Sequence, residues 1–375
     1  MSHSLERYPK QTARFMFLSA VNCQRLEKTA NDYLGSSRTL HRRAVDRRAG
    51  ANAPTRWHTC PHRFHLAAVT ERRRARHLNE AIAGDELVTC LSKDRNVVVK
   101  AIRASGLVRT ASELHEATPV AAAALGRSLL AALLLASGKK DLETVQMEFR
   151  GDGPLRAVVA IADGRGHVRG YVGDPQVQLP PTAAGKLDVG RAVGRGFLAV
   201  VRNHSTWSEP YRGITEIQTG EIGDDVLHYL VRSEQIPSAL ALGVFVQGGH
   251  VQAAGGYLVQ LLPESTPETL DRVEENVLQL NKRGTPTQLI RDGMDAVDIV
   301  QQLMVDIDET SLRRVQPQYS CSCDASRVRR MVALLPRDEI ESILREQNRL
   351  EAKCEFCGSY YELSSDETRA LLRDA

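Results

Sequence analysis

The chain has 375 residues, comfortable for two domains at roughly 150 residues each. Hydrophobic residues at 42% and charged residues at 25% exclude a chain that is disordered throughout. The longest aliphatic stretch, Val120 to Ala136, is interrupted by Gly126, Arg127 and Ser128 and falls short of the roughly 20 apolar residues of a bilayer crossing, so no membrane span is expected.

The net charge of +3 divides unevenly along the chain. Residues 1–84 hold 16 Lys/Arg against 6 Asp/Glu, leaving 33 against 40 for the remainder. This basic stretch also carries six of the eleven histidines and the run Arg72-Arg73-Arg74-Ala75-Arg76. It admits three readings: a nucleic-acid-binding arm, an organelle transit peptide, or a poorly ordered extension or misplaced start; the last is the expectation. Phe15 to Val21 is too short and too polar in its flanks for a secretion signal. The Trp57 to His65 segment lacks the paired spacing of a metal site.

From Asp85 the texture changes. Leu87 to Leu91 and Asn96 to Ile102 are β-branched runs around a polar turn and read as a hairpin. Thr118-Pro119 offers an N-cap with proline at the first helical position, which predicts a buried helix running to Ala136 and ending near Gly138. Val145, Met147 and Phe149 alternate with polar residues as in a half-buried strand. Leu155 to Ile161 and Val168 to Val172 flank a glycine turn whose spacing does not fit a dinucleotide loop. Phe197 to Val201, Leu240 to Val246 and Val251 to Leu262 read as further strands, with Gly255-Gly256 marking a bulge or a close backbone approach. The histidines of this body, His115, His167, His204, His228 and His250, stand beside no catalytic motif, so no enzyme is expected.

After Pro263 the strand texture stops. Ser265-Thr266-Pro267 and Thr285-Pro286 start two amphipathic helices, the first with Leu270, Val273, Val277 and Leu280 on one face, the second with Leu289, Met294, Val297, Val300, Leu303 and Met304. Helices of this kind hold their shape by docking an apolar stripe on a neighbour, so their order depends on that neighbour.

Four of the seven cysteines fall in the last 55 residues, as Cys321-Ser322-Cys323 and Cys354-Glu355-Phe356-Cys357-Gly358. Two close pairs at domain-sized separation predict four thiolates on one zinc ion. Gly358 permits the tight return after the last ligand. Arg327 to Leu335 and Asp338 to Arg349 read as helices between the pairs. So short a tail buries little, and the ion should supply much of its folding free energy, about 10 to 16 kcal/mol in zinc-finger peptides. Four cysteine ligands leave no position open for hydrolytic chemistry. By spacing alone the site is either a purely structural ribbon or a redox-sensitive one, since Cys-x-Cys is less usual in structural sites and bound sulfur stays oxidisable. Cys23, Cys60 and Cys90 have no such partners, and Cys90 is expected to be buried.

These cysteine pairs, together with Phe149-Arg150-Gly151-Asp152-Gly153-Pro154-Leu155, Val168-Arg169-Gly170-Tyr171-Val172, Ser233-Glu234-Gln235-Ile236-Pro237-Ser238-Ala239 and Ala253-Ala254-Gly255-Gly256-Tyr257-Leu258, resemble the heat shock protein 33 family. The likeness runs from about Asp85 to Leu372; residues 1–84 gain nothing from it. It implies an ATP-independent holding chaperone, idle when reduced and zinc-bound, that binds unfolding client proteins under oxidative stress. Cys321, Cys323, Cys354 and Cys357 are then both the ligands of one Zn2+ and the redox sensor, with disulfides between neighbours in sequence. A homodimer in the oxidised state and an unfolding connector are also implied.

The fold expected is α+β: a basic extension (1–84), a mixed sheet-and-helix chaperone core (85–265), a helical linker (266–317) and a small four-cysteine zinc domain (318–375). Disulfides that answer to stress imply a compartment that is reducing at rest, hence the cytoplasm. A nucleic-acid partner is not expected, because the acidic excess of residues 85–375 opposes phosphate binding.

Overall fold

The computed structural model describes residues 70–72 and 82–374, and it has the α+β architecture expected. The Phe15 to Val21 and Trp57 to His65 segments, Cys23, Cys60 and most of the basic stretch lie outside the described residues. Within that stretch, Thr70–Arg72 form a short strand (β1).

The hairpin appears as β2 (Glu86–Leu91) and β3 (Val97–Arg103), paired antiparallel. Asp85, just before it, accepts from the backbone N–H groups of Gly106 and Leu107 and so anchors helix α1 (Ser105–Leu114), which the sequence reading missed. Helix α2 (Pro119–Ala136) falls where Thr118-Pro119 placed it. It is apolar all round because it lies between two sheets, as fully buried helices are. Among the described residues it is the one helix long and apolar enough to be compared with a membrane span, and 89% of it is buried. Gly126 allows this packing, since a Cβ there would sit 2.5 Å from Val108 Cγ1.

On one side of α2 lies a six-stranded sheet that includes β4 (Thr144–Gly151), β5 (Ala157–Asp163), β6 (His167–Val172), β7 (Gly196–Asn203) and β8 (Tyr211–Glu216). Val145, Met147 and Phe149 point from β4 into the core, as their alternation predicted. The short α3 (Val189–Val193) and α4 (Gly223–Arg232) close this half. On the other side of α2 lies a five-stranded sheet containing β2, β3, β9 (Ser238–Gln247) and β10 (His250–Leu261). Gly255 and Gly256 are sites of close approach, each Cβ colliding with a carbonyl of a neighbouring strand, while the bulge itself falls at Val251/Ala253.

The outer face of the five-stranded sheet is covered by the connector. The segment expected as a second single helix is two, α6 (Pro286–Arg291) and α7 (Ala296–Leu303), following α5 (Pro267–Arg283). The break is set by Gly293 at φ +97° and by Asp295, which caps α7 in a reciprocal capping box with Asp298. Leu270, Val273, Val277, Leu280, Leu289, Val300 and Leu303 bury against Val88, Cys90, Val99, Tyr257 and Val259 of the sheet, the docking the amphipathic pattern demanded.

The connector then ends in two strands. β11 (Arg313–Val315) pairs antiparallel with β2, and β12 (Gln318–Tyr319) pairs in parallel with β6. Beyond them, α8 (Ala325–Val332) and α9 (Arg337–Gln347) match the two helices expected, and β13 (Arg349–Lys353), β14 (Tyr360–Ser364) and α10 (Ser365–Asp374) complete a small unit on Ile340, Leu344, Leu350 and Leu363. β1 adds to the free edge of β14.

Candidate metal centre

The four cysteines at the carboxyl end converge. Cys321 and Cys323 follow β12; Cys354 and Cys357 sit in the turn between β13 and β14, where Gly358 takes φ +65°. The Gly358 N–H donates to the Cys354 carbonyl and the Cys354 N–H to the Ser359 carbonyl, folding the second pair into a tight knuckle. All four sulfurs lie within 4.8 Å of one another. Cys321 Sγ is 3.8 Å from Cys354 Sγ, and Cys323 Sγ is 3.2 Å from Cys357 Sγ.

This donor set fits a tetrahedral ion. Ligands at about 2.3 Å span edges of about 3.8 Å, and all four donors are soft sulfur. The Tyr361 hydroxyl donates to Cys323 Sγ at 3.1 Å, and the Ser359 hydroxyl stands 3.2 Å from Cys357 Sγ, so the sulfurs also have orienting partners. Hydrogen bonds from the Cys321 and Cys354 thiols hold Cys357 well below the ordinary thiol range, while bonding to Cys354 raises Cys321 and burial pushes Cys323 up to about 11. Several thiolates this close repel one another, so full ionisation calls for a cation among them.

Cys90 is different. It is buried in β2 with its thiol 3.6 Å from Glu309 Oε2, and burial raises it to about 11, which makes it a poor nucleophile. Among the described histidines, His115 bonds Tyr319, His167 bonds Asp163 and His204 bonds Thr206.

The sequence reading missed the residues that fasten this centre to the core. The Tyr319 hydroxyl shares its proton between the carbonyls of Gly170 (2.7 Å) and Phe356 (2.5 Å), accepts from the Gly170 N–H, and lies 3.2 Å from His115 Nε2. Burial pushes the His115 imidazole below its ordinary range. Gly170 has to be glycine here, since a Cβ would meet the Val159 carbonyl at 2.5 Å. The Phe356 ring, between the two ligands of its knuckle, packs edge-on to Tyr171 at 5.2 Å and beneath the Arg169 guanidinium at 5.0 Å. Arg169 also donates to the Ser322 hydroxyl, between the other two ligands. The signal was present in the aromatic residues that interrupt or precede each cysteine pair, Phe356 and Tyr319, although only their packing reveals what they do.

Comparison with known proteins decides the family. The sequence model of the family described as Hsp33 protein matches residues 85–364. The chain belongs to the Hsp33 family. It is 38% identical over 295 residues to the 33 kDa chaperonin of Caldanaerobacter subterraneus subsp. tengcongensis, covering 78% of this chain and 99% of that one. To the 33 kDa chaperonin of Acaryochloris marina it is 40% identical over 294 residues, covering 77% and 97%. The crystal structure of a 33 kDa chaperonin from Thermotoga maritima superposes with a TM-score of 0.71 at 28% identity, covering 78% of this chain and 98% of that one. The family match begins at residue 85, so the whole basic stretch of residues 1–84 lies outside it.

Proposed function

We propose that this Hsp33 chain is a redox-regulated, ATP-independent holding chaperone of the cytoplasm, without enzymatic activity, switched on when the four carboxyl-terminal cysteines are oxidised. The observation that carries the reading is the coupling between sulfur and core: Tyr319 and Ser320, just before the first cysteine pair, Ser322, inside it, and Phe356, inside the second, are among the residues through which the tail holds β6.

Cys321, Cys323, Cys354 and Cys357 would hold one Zn2+, which supplies a cross-link that keeps a small, thinly cored unit folded. Oxidation of each pair of thiolates to a disulfide removes two electrons, which, with two protons taken from solvent, reduce one peroxide to two waters. The contacts of Cys321 with Cys354 at 3.8 Å and of Cys323 with Cys357 at 3.2 Å run between the two knuckles, whereas the proposed pairing of Cys321 with Cys323 and of Cys354 with Cys357 lies within each. Disulfides of that kind let the knuckles part. The Phe356 carbonyl and ring then leave Tyr319, Tyr171 and Arg169, the connector loses its carboxyl-terminal anchor, and its apolar face and the sheet beneath become available to unfolding clients. The oxidised species is proposed to be a homodimer, with the dimer as the form that holds clients.

Thermal aggregation of a test protein, followed by light scattering with the chain either reduced or peroxide-treated and with released zinc measured in the same tube, tests this. Suppression by the oxidised chain alone, with about one zinc released per chain, is the expected result; equal suppression in both states, or zinc retained throughout, refutes it.

A further inference from the structure

Both sheets of the core end on strands that belong to the connector. The five-stranded sheet has the order β11-β2-β3-β10-β9 and the six-stranded sheet the order β12-β6-β5-β4-β7-β8, so residues 308–319 cap one edge of each. The first cap is longer than β11. The Lys93 N–H donates to the Asp308 carbonyl at 2.8 Å, Ser92 bridges Glu309, and the Thr310 N–H donates to the Leu91 carbonyl at 2.9 Å. After a one-residue shift of register the pairing resumes with Arg313 opposite Thr89, Arg314 opposite Val88 and Val315 opposite Leu87. On the second edge, the Gln318 N–H donates to the Gly166 carbonyl and the Ser320 N–H to the Val168 carbonyl.

The cap on β2 is made largely by backbone. The side chains of Asp308, Glu309, Thr310, Ser311, Arg313 and Arg314 are all exposed, and the side-chain contributions are few: Glu309 accepts from the Cys90 thiol, the Thr310 hydroxyl donates to the Leu91 carbonyl, Lys93 pairs with Asp308, and Leu312 packs half-buried on the sheet. A surface that binds through N–H and C=O groups is indifferent to sequence. Loss of the ribbon leaves β2 and β6 with rows of unpaired donors and acceptors, the template on which extended chains add as strands.

We infer that residues 308–319 are an internal stand-in for the client, and that the uncovered edges of β2 and β6 bind extended segments of unfolded polypeptide by strand addition. The inference rests on the proposed function, in that oxidation must first detach the connector. It adds the mode of recognition. Backbone pairing accounts for a holdase that takes many unrelated sequences, because every unfolded chain offers the same main-chain groups at the same spacing.

The test uses the full oxidised chain and two labelled eight-residue peptides of alternating valine and threonine, one with free amides and one N-methylated at every residue. N-methylation of successive residues removes the donors from both edges of a strand while leaving the side chains unchanged. Strand addition predicts binding at least about tenfold weaker for the methylated peptide, since several hydrogen bonds of about 1 kcal/mol each are lost. It also predicts that the free-amide peptide restores hydrogen-exchange protection to amides in 87–93 and 166–170 that oxidation has exposed. Equal binding of both peptides, with those amides still in fast exchange, overturns the inference and leaves the functional reading standing. An oxidised chain that suppresses no aggregation overturns both.

Discussion

Replacing Tyr319 by phenylalanine deletes one oxygen and should loosen the tail from the core. The hydroxyl serves the Phe356 carbonyl, both main-chain groups of Gly170 and the His115 ring, and the residue is 3% exposed. A hydrogen bond contributes about 0.5–1.5 kcal/mol net, and a buried group left without its partner costs about 1–3 kcal/mol. With Phe356 free to re-solvate on undocking and Gly170 held in the sheet, a docking loss of about 2–4 kcal/mol follows. At about 1.4 kcal/mol per tenfold, that makes the detached state roughly 30- to 700-fold more populated. All four cysteines remain, so the reduced variant should still bind one zinc. The assay is limited proteolysis of the reduced protein across residues 304–323, paired with the peroxide concentration at half-maximal zinc release. Faster cleavage and a lower midpoint are expected. A variant with wild-type proteolysis and an unchanged midpoint would refute the reasoning, because Tyr319 would then not couple the knuckles to the core.

Other outcomes follow from single positions. Cys323→Ser should weaken zinc binding and loosen residues 318–374 in hydrogen exchange, whereas Cys90→Ser should leave one zinc per chain by metal analysis; the contrast separates the site from the buried thiol. Gly170→Ala should lower core stability by about 1–3 kcal/mol in urea unfolding, because its Cβ meets a strand carbonyl. Lys100 is fully buried, burial lowers it to about 7, and its Nζ donates to the carbonyls of Leu134 and Ser137 at the end of α2, two acceptors for the two hydrogens of a neutral amine. The unfolded chain keeps its proton up to 10.5. Between those values the unfolded state therefore binds the extra proton, and Lys100 makes stability rise with pH by up to about 1.4 kcal/mol per unit. Lys100→Met should flatten that slope in chemical denaturation measured from pH 7 to 9.

The parts of the fold legible in the sequence are those whose signal is local. The Thr118-Pro119 start, the alternation of Val145, Met147 and Phe149, and the paired cysteines each follow from a few adjacent residues. The division of the connector at Gly293 was misread, since Leu289, Met294 and Val297 keep near-helical spacing across a break that only backbone geometry and the Asp295 cap reveal. The connector's two strands were not legible at all. Arg313-Arg314-Val315 and Gln318-Tyr319 are short, and the first is largely exposed; they are strands because β2 and β6 offer open edges, a tertiary cause that no propensity records. The convergence of four sulfurs was readable from spacing, while their attachment through Tyr319, Arg169 and Phe356 depended on contacts between residues far apart in the chain.

The central claim is that sulfur oxidation and release of the connector are one event. Hydrogen exchange across residues 304–320, followed during peroxide treatment with zinc release recorded on the same sample, tests it most directly. Amide protection in this segment is expected to fall in step with the zinc lost, and a reductant with added zinc to restore both. Zinc leaving a chain whose residues 308–319 stay protected, while aggregation of a client is nonetheless suppressed, would contradict it.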